Sequence, residues 1–144
     1  MATVEQVREH YDSLAFVYRT YWGDHIHHGL FATGNESAAD AQVKMLDHGV
    51  RLLNLRGGET VIDAGCGYGG TLLHLARTLG CKGTGITISP KQARLAQENA
   101  AKAGLQSQLK FVVEDVHTFG FPVGAIDLAW TMESTEHFAR KAEV

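Results

Sequence analysis

The sequence predicts an α/β fold in which a parallel sheet with crossover helices follows an N-terminal helical cap. Three observations carry that expectation. From Glu59 onward, apolar runs of strand length alternate with helix-length patterns, as they do when parallel strands are joined by helices. The first such strand meets its helix at a glycine-rich turn, Gly65-Cys66-Gly67-Tyr68-Gly69-Gly70. Ser89-Pro90 is a strong helix start, with serine as N-cap and proline at the first helical position, and Gly104 is the matching stop.

Taken in order, Thr3 followed by Glu5 and Gln6 opens a first helix that places Val4, Val7, Tyr11, Leu14 and Tyr18 on one broad face. That helix is expected to end before Gly23. A loop follows to Asn35, and Ala38, Ala41, Met45, Leu52 and Leu53 mark a second helix that Gly57-Gly58 stops. Strands are then expected at 60–64, 83–88, 109–113 and 125–130, with helices at 70–79 and 90–103. Residues 1–56 thus form the helical cap and 57–144 the sheet-bearing unit.

Composition narrows the function classes. The chain has 144 residues, of which 44% are hydrophobic, enough for one core. A formal charge of −3 leaves no basic surplus to neutralise phosphates, so no nucleic-acid partner is expected. Cys66 and Cys81 form no CxxC pair, and no basic patch precedes an apolar run at the N-terminus, so a reducing, cytoplasmic setting is expected. No apolar stretch approaches the roughly 20 residues that cross a bilayer, so no membrane span is expected.

The glycine turn lies where open α/β sheets bind nucleotides, and Gly65 and Gly67 let the backbone approach a ligand closely. Gly65, Gly67 and Gly70 also satisfy the dinucleotide pattern GxGxxG, so the motif alone is ambiguous. Asp63 decides between the readings. An acid two residues before the first glycine suits a ligand with an ammonium group and is badly placed beside a pyrophosphate. S-adenosylmethionine carries such an ammonium. An acid about 20 residues after the glycine turn ordinarily holds the ribose hydroxyls. Thr87 stands there instead, and Gln92, five residues on, can offer an amide to the same hydroxyls. Asp115, after the third strand, can accept an adenine amino group. Cys66 in the turn, Ile88 beside Thr87 and Val116 beside Asp115 complete the expected cofactor-binding set. The plain alternatives are that Asp63 caps the glycine turn, Gln92 is an exposed helix residue and Asp115 forms a turn.

Asp63 to Gly70, the stretch from Gly83 to Gln92, and Met132-Glu133-Ser134-Thr135-Glu136-His137 resemble the γ-tocopherol methyltransferase group over essentially the whole chain. Within class I methyltransferases that group is also similar to cyclopropane fatty acid synthases, sarcosine/dimethylglycine methyltransferases, geranyl diphosphate C-methyltransferases and phosphoethanolamine methyltransferases. Glu136-His137-Phe138 resembles the Glu-His-Phe of the cyclopropane enzymes. The resemblance implies a Rossmann-like sheet of order 3-2-1-4 whose C-terminal strands lie beyond Val144, S-adenosylmethionine as cofactor, and a small hydrophobic acceptor such as a tocopherol-like phenol or a terpenoid. Relatives continue for about as long again, so a fragment of a longer enzyme is expected. The segments Tyr11-Asp12 and Tyr18 through Gly29 are similar to a cap over the cofactor, with Tyr18 placed like a substrate-site tyrosine.

Methyl transfer from a sulfonium depends on alignment and water exclusion more than on a strong base. Glu133, Glu136 and His137 flank the end of the fourth strand as candidates for proton removal or cation stabilisation, and Tyr18 and His28 are the candidates from the cap. Ordinary helix capping is the alternative for the two glutamates. His25, His27 and His28 point in different directions in a loop with no acid or cysteine completing a set, so no metal is expected. The fourth strand is expected as an open edge, with Leu128, Ala129 and Trp130 short of packing partners and prone to self-association. Two other readings stay open: a cofactor-binding but inactive interaction module, and a nicotinamide-dependent oxidoreductase, against which the missing ribose acid and the position of Asp63 both argue.

Overall fold

The computed structural model describes residues 3–121 and 124–144. Helix α1 (Val4–Trp22) opens on a reciprocal capping box. The Thr3 hydroxyl accepts from the Gln6 backbone N–H, and the Gln6 side-chain carbonyl accepts from the Thr3 N–H. It buries Val7 and Ala15, while Tyr11, Leu14 and Tyr18 are half-buried and Val4 is exposed. The helix docks across α4 (Pro90–Lys102) through Asp12, whose carboxylate accepts from the Ser89 hydroxyl and whose carbonyl accepts from Lys91 Nζ at 2.7 Å. Helix α2 (Ala38–Leu52) buries Ala41, Gln42 and Leu46. Leu52 and Leu53, expected on its apolar face, are 72% and 50% exposed. The helix also stops before Gly57-Gly58, because Asn54 takes the left-handed conformation at φ 52, which asparagine tolerates better than most residues.

Strands β1 (Thr60–Ala64), β2 (Lys82–Thr87), β3 (Leu109–Val113) and β4 (Leu128–Trp130) form one parallel sheet in the order β3-β2-β1-β4. This is the expected order. Helix α3 (Gly70–Leu79) crosses from β1 to β2, and α4 from β2 to β3. Their apolar residues Leu72, Leu75, Ala96 and Ala100 meet Val61 and Phe111 of the sheet in one core. Asp63 is registered against Gly85 on one side and Trp130 on the other, and Thr87 against Val113. The carboxyl ends of all four strands therefore open on one end of the sheet, where such folds hold ligands.

Strand β4 is shorter than expected. Gly124 at φ 74 turns the chain, and the Asp127 carboxylate accepts from the Thr60 N–H at 2.8 Å, so pairing begins only at Leu128. The expectation that its apolar residues lack partners is corrected for Trp130. That ring is buried against α2 at Gly49, where any added Cβ would collide with it. Leu128 is half-buried and Ala129 exposed, and among the described residues no strand pairs with the outer edge of β4.

Candidate functional site

The strand ends open into a cleft of about 1000 Å³, its solvent-filled mouth included, roofed by α1 and the loop 24–27. Its floor is the β1–α3 turn. Gly65 and Gly67 sit at φ 81 and 54, where a side chain would be strained. The N–H groups of Gly65 and Cys66 donate to the Ile86 carbonyl at 2.9 and 3.0 Å and tie the turn to β2. On the far side, Ser134 Oγ donates to the Ala64 carbonyl at 2.7 Å, which lays the segment after β4 so close that a Cβ on Gly65 would strike Ser134. Asp63 is 3% exposed at the head of this turn. Its Oδ2 is buried with no hydrogen-bond partner, and burial pushes the carboxyl up to about 7. An acid so placed costs stability unless a cation reaches it.

At the end of β2, the Thr87 hydroxyl donates to Gln92 Oε1 at 2.7 Å and accepts from the Ser89 N–H at 3.2 Å. Thr87 therefore fixes the Gln92 amide and leaves Gln92 Nε2 as the donor, whereas the sequence reading gave both residues a direct contact. Ser89 caps α4, its Oγ accepting from the Gln92 N–H at 3.0 Å while donating to Asp12. At the end of β3, Asp115 Oδ1 accepts from both the N–H and Nδ1 of His117, at 2.9 and 2.7 Å. Burial alone raises the Asp115 carboxyl, but the His117 hydrogen bonds outweigh it and the net shift is downward. Oδ2 makes none of these bonds.

The roof brings together residues far apart in the chain. Tyr11 Oη lies 2.9 Å from His137 Nε2, and both side chains line the cleft. Burial first, then the charges of Tyr18 and Glu136, raises the Tyr11 hydroxyl above its ordinary value, so it stays protonated. Glu133, at φ 50, accepts from the His28 N–H at 3.0 Å and from His28 Nδ1 at 2.6 Å, clasping the segment after β4 to the cap loop. The Gln42 amide donates to the carbonyls of His25 and His27 at 2.9 and 3.0 Å and holds that loop from behind.

Asp63, Gly65, Cys66, Gly67, Thr87, Ile88, Gln92, Asp115 and Val116 all line this one cleft, together with Glu133 and His137. Tyr18, Glu136 and His28 do not. Tyr18 turns to His10, 3.1 Å away, and the His28 side chain is 83% exposed. Sequence reasoning gave Tyr11 no role of its own, yet its side chain lines the cleft. Its signal was the Tyr11-Asp12 pair, since Asp12 is what seats the helix on Ser89.

Over residues 1–142 the chain matches the family described as mycolic acid cyclopropane synthetase. A probable chloroplastic tocopherol O-methyltransferase of Oryza sativa subsp. japonica is 34% identical over 142 residues, covering 92% of this chain and 39% of that protein. The crystal structure of the [4+2]-cyclase SpnF is 30% identical, with a TM-score of 0.92 over 99% of this chain and 53% of that one. Mycolic acid cyclopropane synthase CmaA1, complexed with SAH and CTAB, shares the fold with a TM-score of 0.84 at 23% identity, covering 95% of this chain and 48% of its own. The chain thus spans about half the length of the proteins it matches.

Proposed function

The chain belongs to the mycolic acid cyclopropane synthetase family, and we propose that it binds S-adenosylmethionine in the cleft and directs methyl transfer to a small hydrophobic acceptor. The observation that carries this reading is the buried Asp63 carboxyl, whose unpartnered Oδ2 suits the cofactor's ammonium. The other residues fit the same ligand. Gly65, Cys66 and Gly67 allow close backbone approach, Gln92 would offer its amide to the ribose hydroxyls with Thr87 positioning it, and Asp115 Oδ2 would accept from the adenine amino group, with Ile88 and Val116 as apolar lining of the same cleft.

When bound, the cofactor supplies an activated methyl and a neutral leaving group. The chain aligns the acceptor and keeps water out. Val4, Val7, Ile26, Met132 and Phe138 give the cleft an apolar wall, which supports a phenol or terpenoid acceptor. For a hydroxyl-bearing acceptor, Tyr11 Oη takes the acceptor's proton as its own passes to His137 Nε2, a relay that suits a phenol held protonated. Glu133, engaged by His28, serves as a clasp at the rim. The outer edge of β4 is proposed as a self-association surface.

The likeness to the [4+2]-cyclase SpnF favours a second reading, in which the cofactor is retained and the same apolar cleft folds a polyene for cyclisation. One experiment separates the two. The chain is incubated with S-adenosylmethionine and a panel of hydrophobic phenols, terpenoids and polyenes. A methylated product formed with stoichiometric S-adenosylhomocysteine supports methyl transfer, and an isomer of unchanged mass supports cyclisation. Failure to bind S-adenosylhomocysteine saturably would refute both.

A further inference from the structure

Just after β3 stands a histidine, His117, that lines the cleft beside Asp115 with its side chain only 6% exposed. Each ring nitrogen has one partner. Nδ1 lies 2.7 Å from Asp115 Oδ1, and Nε2 accepts from the Arg140 backbone N–H at 3.2 Å. A backbone N–H can only donate, so Nε2 holds no proton and the neutral ring keeps its proton on Nδ1. Burial raises the Asp115 carboxyl, but the bonds from His117 bring it below its ordinary value, so the group opposite Nδ1 is an ionised acceptor. Both ends of the ring therefore enforce the same tautomer. The ring is also held from the side, where Phe138 packs edge-on with ring centres 6.0 Å apart.

Asp115 Oδ1 is thereby committed twice, to Nδ1 and to the His117 N–H at 2.9 Å. Resting on the cofactor reading, we infer that His117 is the positioning residue that turns Asp115 so that Oδ2 is free for the purine's amino group, which makes His117 a determinant of the purine the cleft accepts. Any residue at this position offers the backbone N–H. Only the side chain adds the second donor, and the Arg140 N–H keeps that donor on Nδ1 by occupying Nε2. Arg140 lies 23 positions further on, in the segment after β4. The stretch that brings His137 and Phe138 to the cleft therefore also sets the carboxylate at its purine end.

Titration calorimetry with S-adenosylhomocysteine, and with its analogue bearing hydrogen in place of the purine amino group, reads the selectivity. One hydrogen bond to a charged group predicts a preference of about tenfold or more for the amino compound. His117→Gln keeps an acceptor within reach of the Arg140 N–H and loses the Nδ1 donor. The preference should fall by about threefold to tenfold, with affinity for the hydrogen analogue unchanged within about twofold. His117→Asn sets an amide N–H where Nδ1 stands, and should hold the preference within about twofold of the unaltered chain's. Nitrogen-15 spectra of the unliganded, unaltered chain should show His117 protonated on Nδ1 and bare on Nε2. An unchanged preference in His117→Gln, an equal loss for both ligands, or a ring protonated on Nε2 overturns the assignment. Equal binding of the two compounds by the unaltered chain overturns it as well, while binding of neither removes the cofactor reading and this role with it.

Discussion

Asp63 should make cofactor binding pH-dependent in a calculable way. In the free fold its carboxyl is pushed up to about 7 by burial, so below that pH it is protonated, whereas an ammonium ligand needs the carboxylate. Binding then releases a proton. Affinity should be level above about pH 7 and fall about tenfold for each unit below it, so that between about pH 8.0 and 5.5 it drops roughly 30-fold, about 2 kcal/mol. The stability of the free chain runs the other way. Because the folded value lies above the unfolded one, this carboxyl subtracts stability as pH rises from about 4 toward 7, and a bound cation restores it. Calorimetry with S-adenosylhomocysteine in two buffers of different ionisation enthalpy reads the released proton directly. Asp63→Asn serves as the control for the histidines of the cleft: it should bind about tenfold or more weakly above pH 7 and lose this pH dependence. Equal affinity at both ends of the range, with no buffer dependence of the enthalpy, would refute the argument.

Gln92→Ala should weaken S-adenosylhomocysteine binding by about threefold to tenfold, the worth of one neutral hydrogen bond, and Thr87→Val should add little in that background because Thr87 acts through Gln92. Additive losses in a double-mutant cycle would return Thr87 to direct contact. His25, lowered by burial to about 4 from an ordinary 6.5, binds its proton more readily in the unfolded chain, so its contribution to stability is intact above about pH 6.5 and lost as pH falls toward 4. Allowing for the solvent that reaches the ring, about 2 kcal/mol is at stake, and urea melts of His25→Gln should show a shallower acid loss than the unaltered chain. Identical acid slopes would remove His25 from that role. Light scattering of the free chain should show dimers or larger species through the β4 edge, and a charged Ala129→Lys should return it to monomer. A monodisperse monomer at high concentration would contradict the edge argument.

The parts of this molecule legible in the sequence are those fixed by neighbours in the chain. The capping box at Thr3, Ser89-Pro90 at the head of α4 and the glycine turn after Asp63 are local signals, so α1, α4 and the turn that floors the cleft could be placed from spacing alone. Register followed as well, because in a parallel sheet of known order the residues at successive strand ends must share one edge. What spacing does not give is where a helix sits along its own axis relative to the sheet. Tyr11 and Tyr18 lie seven residues apart on one face of α1, about 10 Å along it, and periodicity cannot say which lines the cleft. That is decided by Asp12 meeting Ser89, an interaction across 77 positions of sequence. The same holds at the rim, where Glu133 resembled a base by its place after β4. Its carboxylate is committed to His28, 105 positions away, and the left-handed backbone of Glu133 is the local strain that permits the reach. A residue type at the right strand end therefore identifies a candidate ligand contact, while its role as contact, clasp or positioner is set by whichever distant donor reaches it first.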